Sequence, residues 1–197
     1  MRILSLDQSS TSTGFVVLED GVVKDMGCIE VTASLDLDFR VIALMHDVEK
    51  LILKYKPTHV CVEEIYGRPG RYMAFKALAI VRGALIWLWW RLGLSQLVVI
   101  SCTHARAQLG IKGNATKEEI TKAVNAKFKL NVTNEHTADA VVIGVYGYQL
   151  LMTNPGATKI VTQPKAQTKT KQQKGHNVHT KASYKTGKKN GKNISKT

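Results

Sequence analysis

The stretch ILSLDQSSTSTGFVVLEDG, residues 3–21, constrains the fold more than any other part of the chain. An apolar run of strand character ends on one acid, Asp7, and a turn rich in hydroxyl side chains (Ser9, Ser10, Thr11, Ser12) follows. Apolar pattern resumes at Phe15 and stops at Asp20-Gly21, which is a hairpin-turn signal. The pattern predicts strands over 2–7 and 14–19, with an alternating third strand over 22–31 joined to the second as an antiparallel hairpin. It also sets a carboxylate at the tip of a strand that reads as buried. An Asp that starts a turn by bonding its own backbone is the plain explanation of such a residue. Other acids in the chain bear on whether that suffices.

Down the chain, residues 38–55 place Val41, Leu44, Met45, Val48, Leu51, Ile52 and Tyr55 at helical spacing, and Pro57 stops the helix. THVCVEEIYG, at 58–67, is a short apolar strand running into Glu63 and Glu64. A long helix over about 72–92 and a strand at 96–101 come next. Thr116-Lys117-Glu118-Glu119 is a capping-box pattern opening a helix to about 128. A last helix runs from near Asn134 to near Met152. This order of strands and helices fits an α/β fold, a mixed five-stranded sheet flanked by helices.

Charge divides the chain in two. All 15 acidic residues and 17 of the 28 basic ones lie in residues 1–154; residues 155–197 hold eleven Lys and no Arg, Asp or Glu. The expectation is a folded domain over 1–154 and a disordered Lys-rich tail over 155–197. A segment without hydrophobic periodicity cannot offset the entropy of ordering it. Such a tail suits a polyanion, most often nucleic acid. Three cysteines, odd in number and without metal-ligand spacing, suit a reducing cytoplasm. Asp7 interrupts the only candidate signal segment, and Arg82 and Gly83 split the most apolar helix. No membrane partner is therefore expected.

Asp7 and Glu63 both close runs that should be buried, on strands that should lie parallel after a helical crossover. Sites in open α/β sheets form at such strand ends. In NEHTADAVVIG, at 134–144, His136 and Asp139 are three apart and share one helix face. Three carboxylates and a histidine brought together repel unless a cation lies among them, and hard oxygen ligands suit Mg²⁺ or Mn²⁺. Two such ions roughly 4 Å apart clamp the attacking and leaving oxygens of a phosphodiester displacement.

In their order and spacing, ILSLDQSSTSTGFVVL, VCVEEIYG, VRGA, GNATKEEI and HTADAVVIG resemble the RuvC-type Holliday junction resolvases, within the ribonuclease-H-like nuclease superfamily. The resemblance covers about residues 1–152. It implies a ribonuclease-H-like sheet and a homodimeric endonuclease that resolves four-way (Holliday) and other branched DNA junctions. It also implies two Mg²⁺ ions per active site, with Mn²⁺ as a substitute, and Asp7, Glu63, His136 and Asp139 as catalytic metal-site residues. Glu63, not Glu64, matches the family's strand glutamate. Tyr66 matches a base-stacking aromatic and Lys117 a phosphate-meeting lysine; Arg68, Arg71 and Lys112 are assigned to the same DNA-binding set. Gln8-Ser9 stands where the family usually has Pro-Gly, and cellular members lack the tail, so a phage-encoded member acting in the host cytoplasm fits better. A related nuclease of RNA–DNA hybrids, a non-catalytic binder of branched DNA and an actin-like ATPase are the alternatives.

Overall fold

The structure is a computed structural model that describes residues 1–67, 69–94 and 96–153 together with the backbone of 159–162. Its opening stretch folds as the pattern demands. β1 (Arg2–Asp7) and β2 (Ser12–Glu19) pair antiparallel with Asp7 opposite Gly14, and β3 (Val22–Glu30) returns along β2. At the turn between them Asp20 and Gly21 have φ of 47° and 82°, the left-handed pair that two-residue hairpins use. In the turn between β1 and β2, Thr13 Oγ1 donates to the Ser9 carbonyl at 2.9 Å and accepts from Ser9 N–H at 3.1 Å. The hydroxyl-rich run thus satisfies its own backbone.

α1 (Leu37–Tyr55) buries Val41, Leu44, Met45, Val48 and Ile52 and ends on a left-handed Lys56 before Pro57. β4 (His59–Glu63) then lies parallel to β1, and after α2 (Tyr72–Arg91) β5 (Gln96–Ile100) lies parallel to β4. A seven-residue helix not foreseen in the sequence, α3 (Cys102–Gln108), follows directly. α4 (Lys117–Phe128) carries both bonds of the Thr116–Glu119 capping box, and α5 (Glu135–Thr153) closes the domain.

One boundary needs correcting. β6 (Lys159–Thr162) pairs antiparallel with β5, giving a six-stranded sheet of order β3-β2-β1-β4-β5-β6. The five expected strands are all present, but the sheet continues into the segment assigned to the tail. An uncovered β5 would leave a row of unpaired backbone groups, and the Ile160-Val161 pair supplies the β-prone sequence that covers it. The rest of the Lys-rich tail lies outside the described residues.

Strand alternation sorts the side chains into two layers. Leu4 and Leu6 of β1 and Val60 and Val62 of β4 face α1 and α2, where they pack with Leu44, Val48, Val81, Leu85 and Leu88. Ile3 and Cys61 point to the other layer, with Val98 and Ile100 of β5 and with Ala138, Val141 and Val142 of α5. By the same alternation Asp7 and Glu63 face the α5 layer, and Glu64 does not.

α2 is long and apolar enough to cross a membrane by length and composition. Here Val81, Leu85, Leu88 and Trp89 pack into the α1 layer, while Tyr72, Met73, Ile86, Trp87 and Trp90 remain exposed. Neither α1 nor α5 covers them: α1 lies alongside, and α5 is on the opposite face of the sheet.

Candidate active site

Register brings the first two acids together. Leu6 pairs with Val62 in the parallel β1–β4 ladder, so the residues that follow, Asp7 and Glu63, end side by side. Gln8 reinforces this: its Nε2 donates to the Glu63 carbonyl at 2.7 Å, tying the two strand tips. The third acid arrives on α5, and four hydrogen bonds fix where α5 starts. Asn134 Oδ1 accepts from the His136 and Thr137 N–H groups at 2.9 and 3.2 Å, an N-cap. Thr137 Oγ1 donates to the Gly27 carbonyl at 2.9 Å, and buried Ser5 Oγ donates to the Ala140 carbonyl at 2.6 Å.

The result is a cavity of about 380 Å³ lined by Asp7, Gln8, Glu63, Lys117, Glu135, His136 and Asp139, among others. His136 Nδ1 lies 2.7 Å from Asp7 Oδ2, and this contact raises the imidazole pKa above its ordinary value. Burial pushes the Glu63 carboxyl up to about 8, aided by the charge of the neighbouring Asp7, a hydrogen bond with that side chain and the Asp139 charge. Asp139 is raised by burial, against the opposing pull of Arg106. Burial in a partly desolvated site, with like charge nearby, is what favours the protonated form of a carboxyl such as Glu63.

The four expected catalytic residues therefore share one cavity. Glu64 does not line it, and its N–H is spent on the Ile100 carbonyl at 2.7 Å. Of the expected DNA-binding residues, Lys117 stands exposed at the rim, paired with Glu135. Tyr66 and Arg71 line a neighbouring hollow of about 230 Å³ that shares Glu63 with the main cavity. Lys112 is exposed in the loop before α4 and lines none of these hollows, and Arg68 lies outside the described residues.

The family model for the crossover junction endodeoxyribonuclease RuvC matches residues 3–146. The chain belongs to the RuvC family. The RuvC of Pelobacter propionicus is 27% identical over 165 residues, covering 80% of this chain and 93% of that protein. The RuvC of Chloroherpeton thalassium is 31% identical over 156 residues, covering 75% and 82%. Among solved structures, Thermus thermophilus RuvC in complex with Holliday junction substrate superposes with a TM-score of 0.67 at 18% identity, over 82% of this chain and 99% of that one. The yeast mitochondrial Holliday junction resolvase superposes at 0.53 and 13% identity, over 75% and 78%.

Sequence reasoning missed Arg106 in this RuvC-family chain. Its Nη2 lies 2.6 Å from both Asp139 oxygens and its Nε 3.2 Å from Oδ1, while Cys102 Sγ approaches Oδ1 at 3.5 Å. Cys102 and Arg106 are one turn apart on α3, and that i,i+4 spacing was the available signal. A seven-residue helix is too short to show the periodicity that would have revealed it.

RuvC-family catalysis depends on a divalent metal, and the residues here fit one by donor chemistry. Three carboxylates with hard oxygens face one cavity, and their mutual repulsion is the kind a cation relieves. Among the described residues, however, no three His, Cys, Asp or Glu converge closely enough to hold an ion. Asp7 is engaged by His136 and Asp139 by Arg106.

Proposed function

We propose that this chain is a structure-selective endonuclease that resolves four-way DNA junctions by hydrolysing phosphodiesters, with other branched DNAs as secondary substrates. The observation that carries this reading is the convergence of Asp7, Glu63, His136 and Asp139 on one cavity at the carboxyl ends of β1 and β4. These four would hold the metal, two Mg²⁺ ions in our reading with Mn²⁺ as a substitute. A divalent cation so held supplies Lewis-acid polarisation of the phosphate and activation of water.

The chain's own groups account for the rest. Lys117 at the rim offers an ammonium to the phosphate backbone, and Arg71 does the same beside the smaller hollow. Tyr66, 63% exposed next to Glu63, presents a ring on which an unstacked base at the junction can lie. His136 bridges Asp7 and the open cavity, so it can serve as a ligand or move a proton to solvent. Two such sites, one per protomer of a homodimer joined through α2, match the two-fold symmetry of the substrate. The cytoplasm is the expected place of action, of the bacterial host if the chain is phage-encoded.

The deciding experiment is Mg²⁺-dependent nicking of a panel of four-way, three-way, flap, duplex and RNA–DNA hybrid substrates, with nick positions mapped. Symmetrically paired nicks in the four-way junction, leaving ligatable ends, are expected. Preferred cleavage of the hybrid would make it a hybrid nuclease instead, and binding without nicking would make it a junction-binding protein.

A further inference from the structure

The bond between Arg106 and Asp139 has a chemical meaning beyond packing. One guanidinium reaches both oxygens of the carboxylate, Nη2 at 2.6 Å from each and Nε at 3.2 Å from Oδ1. Asp7, by contrast, gives only Oδ2 to His136. Asp139 is thus the one carboxylate of the three with both oxygens committed to a cation that the protein itself supplies. Its partner comes from a short helix at the edge of the site, on a side chain 16% exposed, and not from the sheet.

A cavity lined by three carboxylates is stabilised by a cation held on any of them that stays ionised, because unpaired buried charge is costly. We propose that Arg106 is a built-in counterion: it neutralises Asp139 while the site is empty, and it must release both oxygens before a divalent cation can use them. Metal loading is then an exchange of cations at Asp139 and not simple addition to a waiting ligand. The exchange lowers the affinity of the free protein for metal and keeps the empty site folded. Arginine suits this role better than lysine, because its planar fork engages two carboxylate oxygens at once and a lysine ammonium is a point charge.

This inference rests on the metal-dependent reading above, so its test must fail separately from that reading. Mn²⁺ binding to the full chain without DNA would be measured by calorimetry, alongside thermal melting in EDTA and in Mn²⁺. Wild type would be compared with Arg106→Gln, Arg106→Lys and Asp139→Asn. Arg106→Gln should bind Mn²⁺ roughly tenfold tighter than wild type, the scale of losing one charge-assisted contact. It should melt lower in EDTA and gain more from Mn²⁺ than wild type does. Arg106→Lys should fall between the two. An Arg106→Gln protein that folds only with Mn²⁺ also supports the exchange, and Arg106→Lys then supplies the affinity comparison. If Arg106→Gln and Arg106→Lys bind Mn²⁺ no tighter than wild type while Asp139→Asn loses binding, the counterion role is wrong and the metal reading stands. If Asp139→Asn binds as wild type does, both are wrong.

Discussion

Gly14 on β2 lies so close to His136 at the start of α5 that a Cβ built on it would stand 2.0 Å from the His136 carbonyl oxygen and 2.6 Å from the Thr137 nitrogen. The obstacle is backbone, so no side-chain adjustment relieves it. Gly14→Ala must push the head of α5 off the sheet and take His136 and Asp139 with it. We expect a loss of about 1–3 kcal/mol of stability and, because roughly 1 Å of misplacement can cost about 100-fold in rate, a disproportionate loss of nicking. Urea unfolding and single-turnover cleavage measured together check it; equal nicking by mutant and wild type would mean α5 placement is not limiting.

The acids should separate chemistry from binding. Asp7→Asn, Glu63→Gln and Asp139→Asn are expected to abolish nicking while junction affinity stays within a few-fold, since phosphate contacts lie elsewhere. Glu64→Gln, on the other face of the strand, should nick nearly as wild type does. Gel-shift titration with parallel cleavage assays reads both quantities, and the reverse ranking of Glu63 and Glu64 would place the site one residue later.

Stability of the metal-free protein should fall as pH rises. Glu63 titrates near 8 in the fold and near its ordinary value when unfolded. Between those limits the folded state binds the extra proton, so stability drops across roughly pH 4.5 to 8. His136, also raised, adds stability below its unfolded pKa that is lost as pH climbs through its folded one. The signs agree. Melting temperature in EDTA across this range should decline steadily, and Glu63→Gln should flatten the decline; a rise in the wild-type curve would contradict the assignment.

The exposed apolar side of α2 should be an interface. Trp87 is 55% exposed and Ile86 39%, with Tyr72 and Met73 further along the helix, and an apolar surface of that kind marks a contact site. Light scattering at micromolar concentration should give a dimer, and Trp87→Glu should shift it toward monomer. A monomeric wild type would remove the two-site geometry.

The Lys-rich tail should supply affinity without selectivity. Removing residues 165–197, which hold ten lysines, keeps β6; cutting at 154 would strip β5 of its partner strand and confuse the result. If about half of those lysines meet phosphate, the salt slope should flatten by about 4–5. Affinity for junction and linear DNA should fall by similar factors. A loss confined to junctions would show that the tail reads shape.

The hairpin, the crossover and the pole at which Asp7 and Glu63 meet were legible because they follow from local pattern: alternation, an Asp-Gly turn, a capping box. Asp139 and His136 were legible because three-residue spacing on a helix fixes their common face. What escaped was tertiary. Arg106 becomes meaningful only when α3 is laid against α5, and α3 carries too few residues to announce itself. β6 escaped because composition dominates its surroundings: three β-prone residues, Ile160, Val161 and Thr162, inside a Lys, Thr and Gln-rich stretch gain order only by adding to an existing edge. The Glu63–Gln8 tie was likewise invisible, since a glutamine after the first acid has no local signature.

The direction of β6 decides at which end of the sheet the described strand stops. Thr162 lies opposite Gln96, the first residue of β5, whereas Glu63 pairs with Ile100, the last. The chain therefore leaves the sheet at the pole away from the carboxylates, a strand length of roughly 16 Å at about 3.3 Å per residue. Seen as a leash, whatever follows Thr162 is fastened at the end of β5 far from Asp7 and Glu63, not beside them.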